Sequence, residues 1–414
     1  MCQPGFRRKW LVRLALGLLS LWAVLCFWQA PVIHPEGMGL EEIRGIWMTN
    51  YGASLLYYST RLDETVSNLA KHHLNTLYPA VWNRGYTLYP SPVAKQIGGV
   101  GRDRLTSFPL LPFQDPVREL VHQAHRQHLR LIPWFEYGLW MPTSAAIAQK
   151  YPDWLTTTFT GEKVIGANPE PQIHPWLKPL WNLKQEAVGA NQGWLNPFHP
   201  EVQQFLVDLI ADMVRRYPVD GIQLDDHFGL PIEFGYDPYT QALYRQDHGG
   251  QAPPQNPADP EWMRWRAEQI TQLMGRIVGA VKAINPEAIV SLSPNSPAFA
   301  YGQYLQDWRR WVELGWLDEV IVQVYREDIT ALEAELYNGG FRGVNQQIPV
   351  AIGLYTGPAG QAKSSSKIQQ ESEAVKAAGY SGIAFFCWET TLWWFKTNSA
   401  AEMYDLFITL FPLP

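Results

Sequence analysis

Beyond residue 40 the chain alternates short β-branched or aromatic runs with longer stretches whose apolar residues recur at helical spacing. Strands are predicted at 42–50, 76–82, 130–137, 219–227, 288–295, 319–325, 348–355 and 382–389. Two helices are clear from their stripes. Phe205, Leu206, Leu209, Ile210, Met213, Val214 and Tyr217 form one, opened by Pro200, which suits a first helical position. Ile270, Leu273, Met274, Ile277, Val278, Val281 and Ile284 form the other. Shorter helices fit 62–72, 116–127, 303–314, 329–337, 367–378 and 401–410. Eight such units predict an α/β chain folded as a (β/α)₈ TIM barrel over residues 42–410. A doubly wound open sheet is the alternative, but no Gly-rich phosphate loop follows the first strand. Long loop insertions follow strand two (84–114) and strand three (141–196). In a barrel both lie over the face that carries active sites.

The first 30 residues follow a different pattern. Arg7, Arg8 and Lys9 precede an apolar run broken only by Arg13 and ending at Trp28. A basic cluster before such a run marks a signal or membrane anchor, with residues 31–41 as a linker. Cleavage after Ala30 would put Trp28 where a small residue is wanted, and Leu25 spoils a lipidation site at Cys26. An uncleaved anchor is therefore expected at 11–28, tying the protein to the cytoplasmic membrane with its body in the cell envelope or periplasm, membrane-anchored or secreted.

Composition narrows the function. A net charge of −6 and the lack of a basic tract interleaved with aromatics argue against a nucleic-acid partner. Cys2 and Cys26 fall in the targeting segment, so the lone Cys387 of the body supports neither a disulfide framework nor a Cys-rich zinc site. Nineteen tryptophans are many for one chain, and indole faces stack on the apolar faces of sugar rings.

Residues 219–231, VDGIQLDDHFGLP, end a short strand in two carboxylates and a histidine. Strand parity puts Gln223, Asp225 and His227 on one face and Leu224 and Asp226 on the other, so the two aspartates should diverge unless a bulge turns Asp226 inward. Other strand ends contribute Trp47 and Asn50, Trp82 and Arg84, Trp134 and Glu136, Asn295, Gln323, Tyr325 and Arg326, Tyr355, and Trp388 and Glu389. Aromatics and amides around carboxylates are what glycoside hydrolysis requires: one carboxyl protonates the leaving oxygen, another acts as nucleophile or base, and the rest hold the ring. Asp225 is the first catalytic candidate, with Asp226 beside it. Glu389, then Glu136, then Asp237 in the following loop are candidates for the second carboxylate. Each also reads as an ordinary surface acid. Trp47, Asn50, Trp82, Arg84, Trp134, His227, Asn295, Gln323, Tyr325, Tyr355 and Trp388 are expected to bind substrate.

RGIWMTN (44–50), WLNPFHPEVQQFL (194–206), VDGIQLDDHF (219–228), SLSPN (291–295) and FFCWETTLW (385–393) together resemble the glycosyl hydrolase-like 10 domain. The resemblance covers most of the body. It implies a TIM barrel, an envelope location and hydrolysis of glycan strands, with bacterial cell-wall glycan leading. His227 stands where many relatives carry tyrosine after the aspartate pair. No cofactor is expected. The rival readings are a non-catalytic glycan-binding barrel and, more weakly, a metal-dependent hydrolase built on Asp225, Asp226 and His227. The ten histidines are scattered without ligand spacing, so no metal is assigned.

Overall fold

The computed structural model describes residues 29–37, 39–49, 62–103, 115–164 and 192–413, with isolated positions before residue 21. Asn50, most of the apolar segment at 11–28, and loop residues 104–114 and 165–191 lie outside the described residues. Among the described residues no helix is long and apolar enough to cross a membrane.

Eight parallel strands form the barrel: β1 (Ile43–Met48), β2 (Thr76–Asn83), β3 in two segments (Arg130–Leu131 and Trp134–Phe135), β4 (Gly221–Asp225), β5 (Ile289–Ser293), β6 (Glu319–Gln323), β7 (Val350–Tyr355) and β8 (Gly382–Phe386), while a two-residue strand, Tyr86–Thr87, folds back antiparallel on the end of β2. Each of the eight pairs in parallel with its neighbours, and β1 pairs with both β2 and β8, so the sheet closes. A parallel crossover needs a covering element, and a helix follows every strand: Leu62–Lys71, Pro116–Arg126, Pro200–Arg216, Pro260–Ile284, Trp308–Glu313, Ile329–Asn338, Ser365–Ala377 and Ala400–Leu410. The stripe predicted on the third of these is buried from Val202 to Val214. This is the expected (β/α)₈ barrel.

The interior is filled by side chains. At the N-terminal end the Glu319 carboxylate accepts from the Tyr78 hydroxyl (2.9 Å) and pairs with Arg130 (3.0 Å). Above them Trp47 Nε1 donates to Gln223 Oε1 (2.7 Å), whose amide donates to Ser291 Oγ (2.9 Å). Both ends of each polar group are satisfied, which burial demands.

Three departures from the predicted pattern shape the site. Strand β4 stops at Asp225, and residues 226–229 form a turn. Strand β8 stops at Phe386, so Glu389 belongs to a helical turn, Trp388–Thr391, rather than a strand end. The helix expected at 303–314 is instead two, Pro297–Tyr304 and Trp308–Glu313, because Leu305 takes a left-handed conformation (φ 56°).

Candidate active site

The end of β4 organises the site. Because the strand ends at Asp225, parity no longer governs the next side chain, and Asp226 does not diverge from Asp225 as expected. The turn brings both carboxylates to one imidazole: His227 Nδ1 lies 3.2 Å from Asp225 Oδ2 and 3.2 Å from Asp226 Oδ1. The His227 backbone N–H also donates to Asp225 Oδ1 (3.0 Å). The turn's carbonyls are satisfied by Gln306, whose amide donates to Asp225 O (2.8 Å) and Phe228 O (3.0 Å). Gln306 reaches them because the helix breaks at Leu305.

The two aspartates are unequal in acidity. Burial pushes the Asp225 carboxyl up to about 7, against the opposing pull of His227. Burial also disfavours charge on Asp226, but His227 and the Gln323 and Asn295 amides outweigh it and hold that carboxyl below its ordinary value. Asn295 Nδ2 donates to Asp226 Oδ2 (2.9 Å) and Gln323 Nε2 to Oδ1 (3.1 Å). Burial disfavours the imidazolium too, yet the fields of Asp226 and Asp225 raise His227 well above its ordinary value. Trp140 stacks on the imidazole (4.7 Å, 9°) and Tyr137 meets it edge-on (5.0 Å), fixing its plane.

Two more carboxylates lie in this neighbourhood. Phe135 pairs with Leu224, so Glu136 continues β3 level with Asp225. Its carboxyl accepts from Asn83 Nδ2, and burial lifts it to about 8, with the fields of Asp225 and Glu389 adding to the rise. Glu389 Oε1 accepts from the Thr49 backbone N–H (2.9 Å) and hydroxyl (2.8 Å), joining the end of β1 to the turn after β8. Burial raises this carboxyl as well. Its Oε2 is buried with no hydrogen-bond partner among the described residues, as are Nε1 of Trp134, Trp140 and Trp194. Buried polar atoms left unpaired are costly; one of these belongs to the Glu389 carboxylate itself, and another to the Trp140 indole that stacks on His227.

The remaining expected residues divide. Tyr325 and Tyr355 pack together (5.6 Å) and against Phe386 at the mouth, and Trp134 borders the same ring. Trp388 is buried against Trp393 (4.5 Å). Trp47 is enclosed in the layer below, held by Gln223, and serves as barrel filling rather than as a ligand contact. Trp82 does not face the mouth. The pairing of β2 with β3 shifts register between Ala80 and Trp82, and this irregularity turns Trp82 onto Phe205 of the helix layer (5.8 Å) and brings Asn83 to Glu136. Arg84, left-handed at φ 54°, donates to Asn83 Oδ1 (2.6 Å) and pairs with Asp103 (3.6 Å), so it braces Asn83. Arg326 pairs with Glu335 (2.7 Å). Asp237 caps the helix Pro238–Asp247 and accepts from Thr240, Thr156 and Asn196, a structural role that removes it from the list of second carboxylates.

Sequence reading missed Thr49, Asn83 and Gln306, which orient the acids, and Tyr137 and Trp140, which pack on His227, with Trp194 stacked behind Trp140. Asn83 and Thr49 were legible as polar residues next to predicted strand ends. Gln306 sat inside a predicted helix.

Asp225, Asp226 and His227 present ligand atoms within 4.8 Å of one another, a spacing that could hold a cation.

Buried carboxylates among aromatics, at the C-terminal ends of strands closed into a ring, define the class: a (β/α)₈ TIM barrel with its candidate active site on the face where such barrels carry theirs. The chain belongs to the glycosyl hydrolase-like 10 family, whose model matches residues 42–375. It is 26% identical over 282 residues to the glycosyl hydrolase DigH of Escherichia coli (strain K12), covering 63% of this chain and 57% of that protein. It is 23% identical over 315 residues to the glycosyl hydrolase YngK of Bacillus subtilis (strain 168), covering 69% and 54%. The chain thus spans about half the length of the curated relatives it matches. The barrel superposes on the PgaB (BpsB) glycoside hydrolase domain of Bordetella bronchiseptica with a TM-score of 0.57 at 12% identity, over 90% of this chain and 96% of that one. The β-amylase catalytic domain of Paenibacillus polymyxa gives 0.55 at 10%, over 90% and 99%. At these identities the likeness establishes the fold.

Proposed function

We propose that the protein is an extracytoplasmic glycoside hydrolase that cleaves polysaccharide, with bacterial cell-wall glycan strands as substrate. The observation that carries this reading is the unequal setting of two carboxylates on one imidazole: His227 Nδ1 contacts both Asp225 and Asp226 (3.2 Å each), while the Asn295 and Gln323 amides donate to Asp226 alone. Glycoside hydrolysis needs one carboxyl protonated and one ionised, and environments that push two neighbours apart supply both. Asp225 is the proton donor to the leaving oxygen. Asp226, kept ionised by His227, Asn295 and Gln323, faces the positive charge that develops on the sugar and acts as nucleophile or base. Glu136 and Glu389, buried and raised, accept hydrogen bonds on one side and supply further polar atoms to the ring held between them. The envelope address rests on the basic cluster and apolar run of the first 30 residues.

The test is digestion of purified peptidoglycan, intact and stripped of stem peptides, with mass analysis of released fragments. The wild-type chain should release soluble glycan pieces. Asp225→Asn should lower turnover by several orders of magnitude while glycan binding and melting temperature persist, because the change removes a proton donor but little packing. Activity within tenfold of wild type would sink the assignment, and binding without cleavage by the wild-type chain would make the barrel a glycan-binding module. Fractionation of cells producing the full chain should find it with the membrane, facing outward. A product found in the soluble fraction beginning near Pro31 would show a cleaved signal instead.

A further inference from the structure

We infer that Trp394 is a sugar-binding platform, a subsite for a pyranose ring of the glycan beyond the one being cleaved. The inference deepens the glycan-hydrolase reading and rests on it. Three indoles, those of Trp388, Trp393 and Trp394, are stacked face to face. Trp388 and Trp393 are 4.5 Å apart at 23°, and Trp393 and Trp394 are 4.6 Å apart at 10°. The inner two are buried, whereas Trp394 is 60% exposed. The stack runs outward from Trp388, the residue preceding Glu389, so its outer end stands two ring spacings from the Trp388–Thr391 turn, on the same face of the barrel.

The loop that presents it is held at every step. The Thr390 and Thr391 hydroxyls donate to Cys387 O, and both meet the Thr356 hydroxyl (3.0 and 2.9 Å). The Leu392 N–H donates to Trp388 O (2.9 Å), the Phe395 N–H to Glu389 O (3.1 Å) and Lys396 Nζ to Trp393 O (3.3 Å). Thus the residues on either side of Trp394 are tied to the Trp388–Thr391 turn, while Trp394, with Trp393 stacked on one face, stays exposed. A lone exposed aromatic needs no explanation in itself. This one is stacked on Trp393, which is itself backed by Trp388, and its neighbours' backbone is tied down, so a ring stacking on it pays little ordering cost in the protein. The occupant that fits a flat, uncharged, preorganised indole continuous with a glycan-cleaving mouth is the C–H face of a sugar.

The experiment is calorimetric titration of the full chain with β-1,4-linked N-acetylglucosamine oligomers, from disaccharide to hexasaccharide, for wild type, Trp394→Ala and Trp394→Tyr. Trp394→Ala should weaken binding of the longest oligomers about five- to tenfold, leave the shortest unchanged, and keep the melting temperature. Trp394→Tyr should recover most of the loss. Equal weakening at every length, no weakening, or no binding of any oligomer by the wild-type chain would each overturn the platform. Hydrolysis of denuded glycan by wild type together with unaltered binding by Trp394→Ala would remove the platform alone. Length-dependent binding without hydrolysis would leave the platform and remove the enzyme.

Discussion

His227 is the side chain on which the site's electrostatics turn, because one nitrogen contacts both aspartates. Asp225 as proton donor is competent only while protonated, so turnover should fall as pH rises through about 7. In His227→Gln the positive field is gone, and burial is opposed only by the residue-227 backbone N–H on Asp225 and by the Asn295 and Gln323 amides on Asp226. Both limbs of the pH–rate profile should therefore move to higher pH, with a lower maximum. Rates measured across the range on denuded glycan check this, and an alkaline limb that stays put or moves down rejects His227 as the positioning residue. Glu136 makes a separate stability prediction. Its carboxyl rises from 4.5 to about 8, with burial as the main cause. Between those pH values the folded state holds a proton that the unfolded chain releases, so stability declines as pH rises from 4.5 to 8. Glu136→Gln keeps an acceptor for Asn83 and removes the titration. The variant's advantage in unfolding free energy, read from urea denaturation at each pH, should grow across that window, by an amount of order a few kcal/mol at most. A difference independent of pH would mean that Glu136 ionises normally.

At the scale of elements, the catalytic strand is placed by close backbone contact. A Cβ on Gly221 would lie 2.2 Å from Ile289 O, inside the ladder between β4 and β5. Gly221→Ala must push β4 away at its first residue and displace Asp225 at its last. We expect a loss of about 1–3 kcal/mol or more, read as a lower urea midpoint, with activity reduced beyond what the remaining folded fraction explains. A midpoint unchanged from wild type would show that the strands yield freely. This strand was legible in the sequence, as were the other seven, because buried parallel strands leave dense β-branched and aromatic runs between amphipathic helices. The misplacements came where one residue breaks a period. The shift between Ala80 and Trp82 exchanges the faces of Trp82 and Asn83, and Leu305 divides a helix whose apolar spacing reads as continuous. Which carboxylates meet was only partly legible. Asp225 follows from parity, whereas Asp226 turns inward only because the strand stops, and the Thr49–Glu389 contact joins residues at opposite ends of the barrel sequence.

That contact shows how the whole molecule depends on closure. Strands β1 and β8 meet along the seam, and the final helix Ala400–Leu410 seals it from outside. Its Met403, Leu406, Phe407 and Leu410, with Phe411 after it, are all buried. Phe407 meets His72, just past the first barrel helix (5.6 Å), while Arg44 from β1 and Lys376 lie over the Phe411 ring (5.4 and 4.8 Å). First and last units are thereby fastened to one another. Burying five large apolar side chains at about 1.5–3 kcal/mol each amounts to on the order of 10 kcal/mol. That is comparable with the net stability of an entire domain, about 5–15 kcal/mol. A chain cut after Asn398 should therefore lose the barrel as a whole rather than fray at one edge, leaving Thr49 and Glu389 without the frame that brings them together. Circular dichroism and tryptophan fluorescence of the truncated chain should show no cooperative thermal transition, and glycan release should be absent. A truncated chain that melts cooperatively near the wild-type temperature would show that seven units hold the seam without the eighth helix.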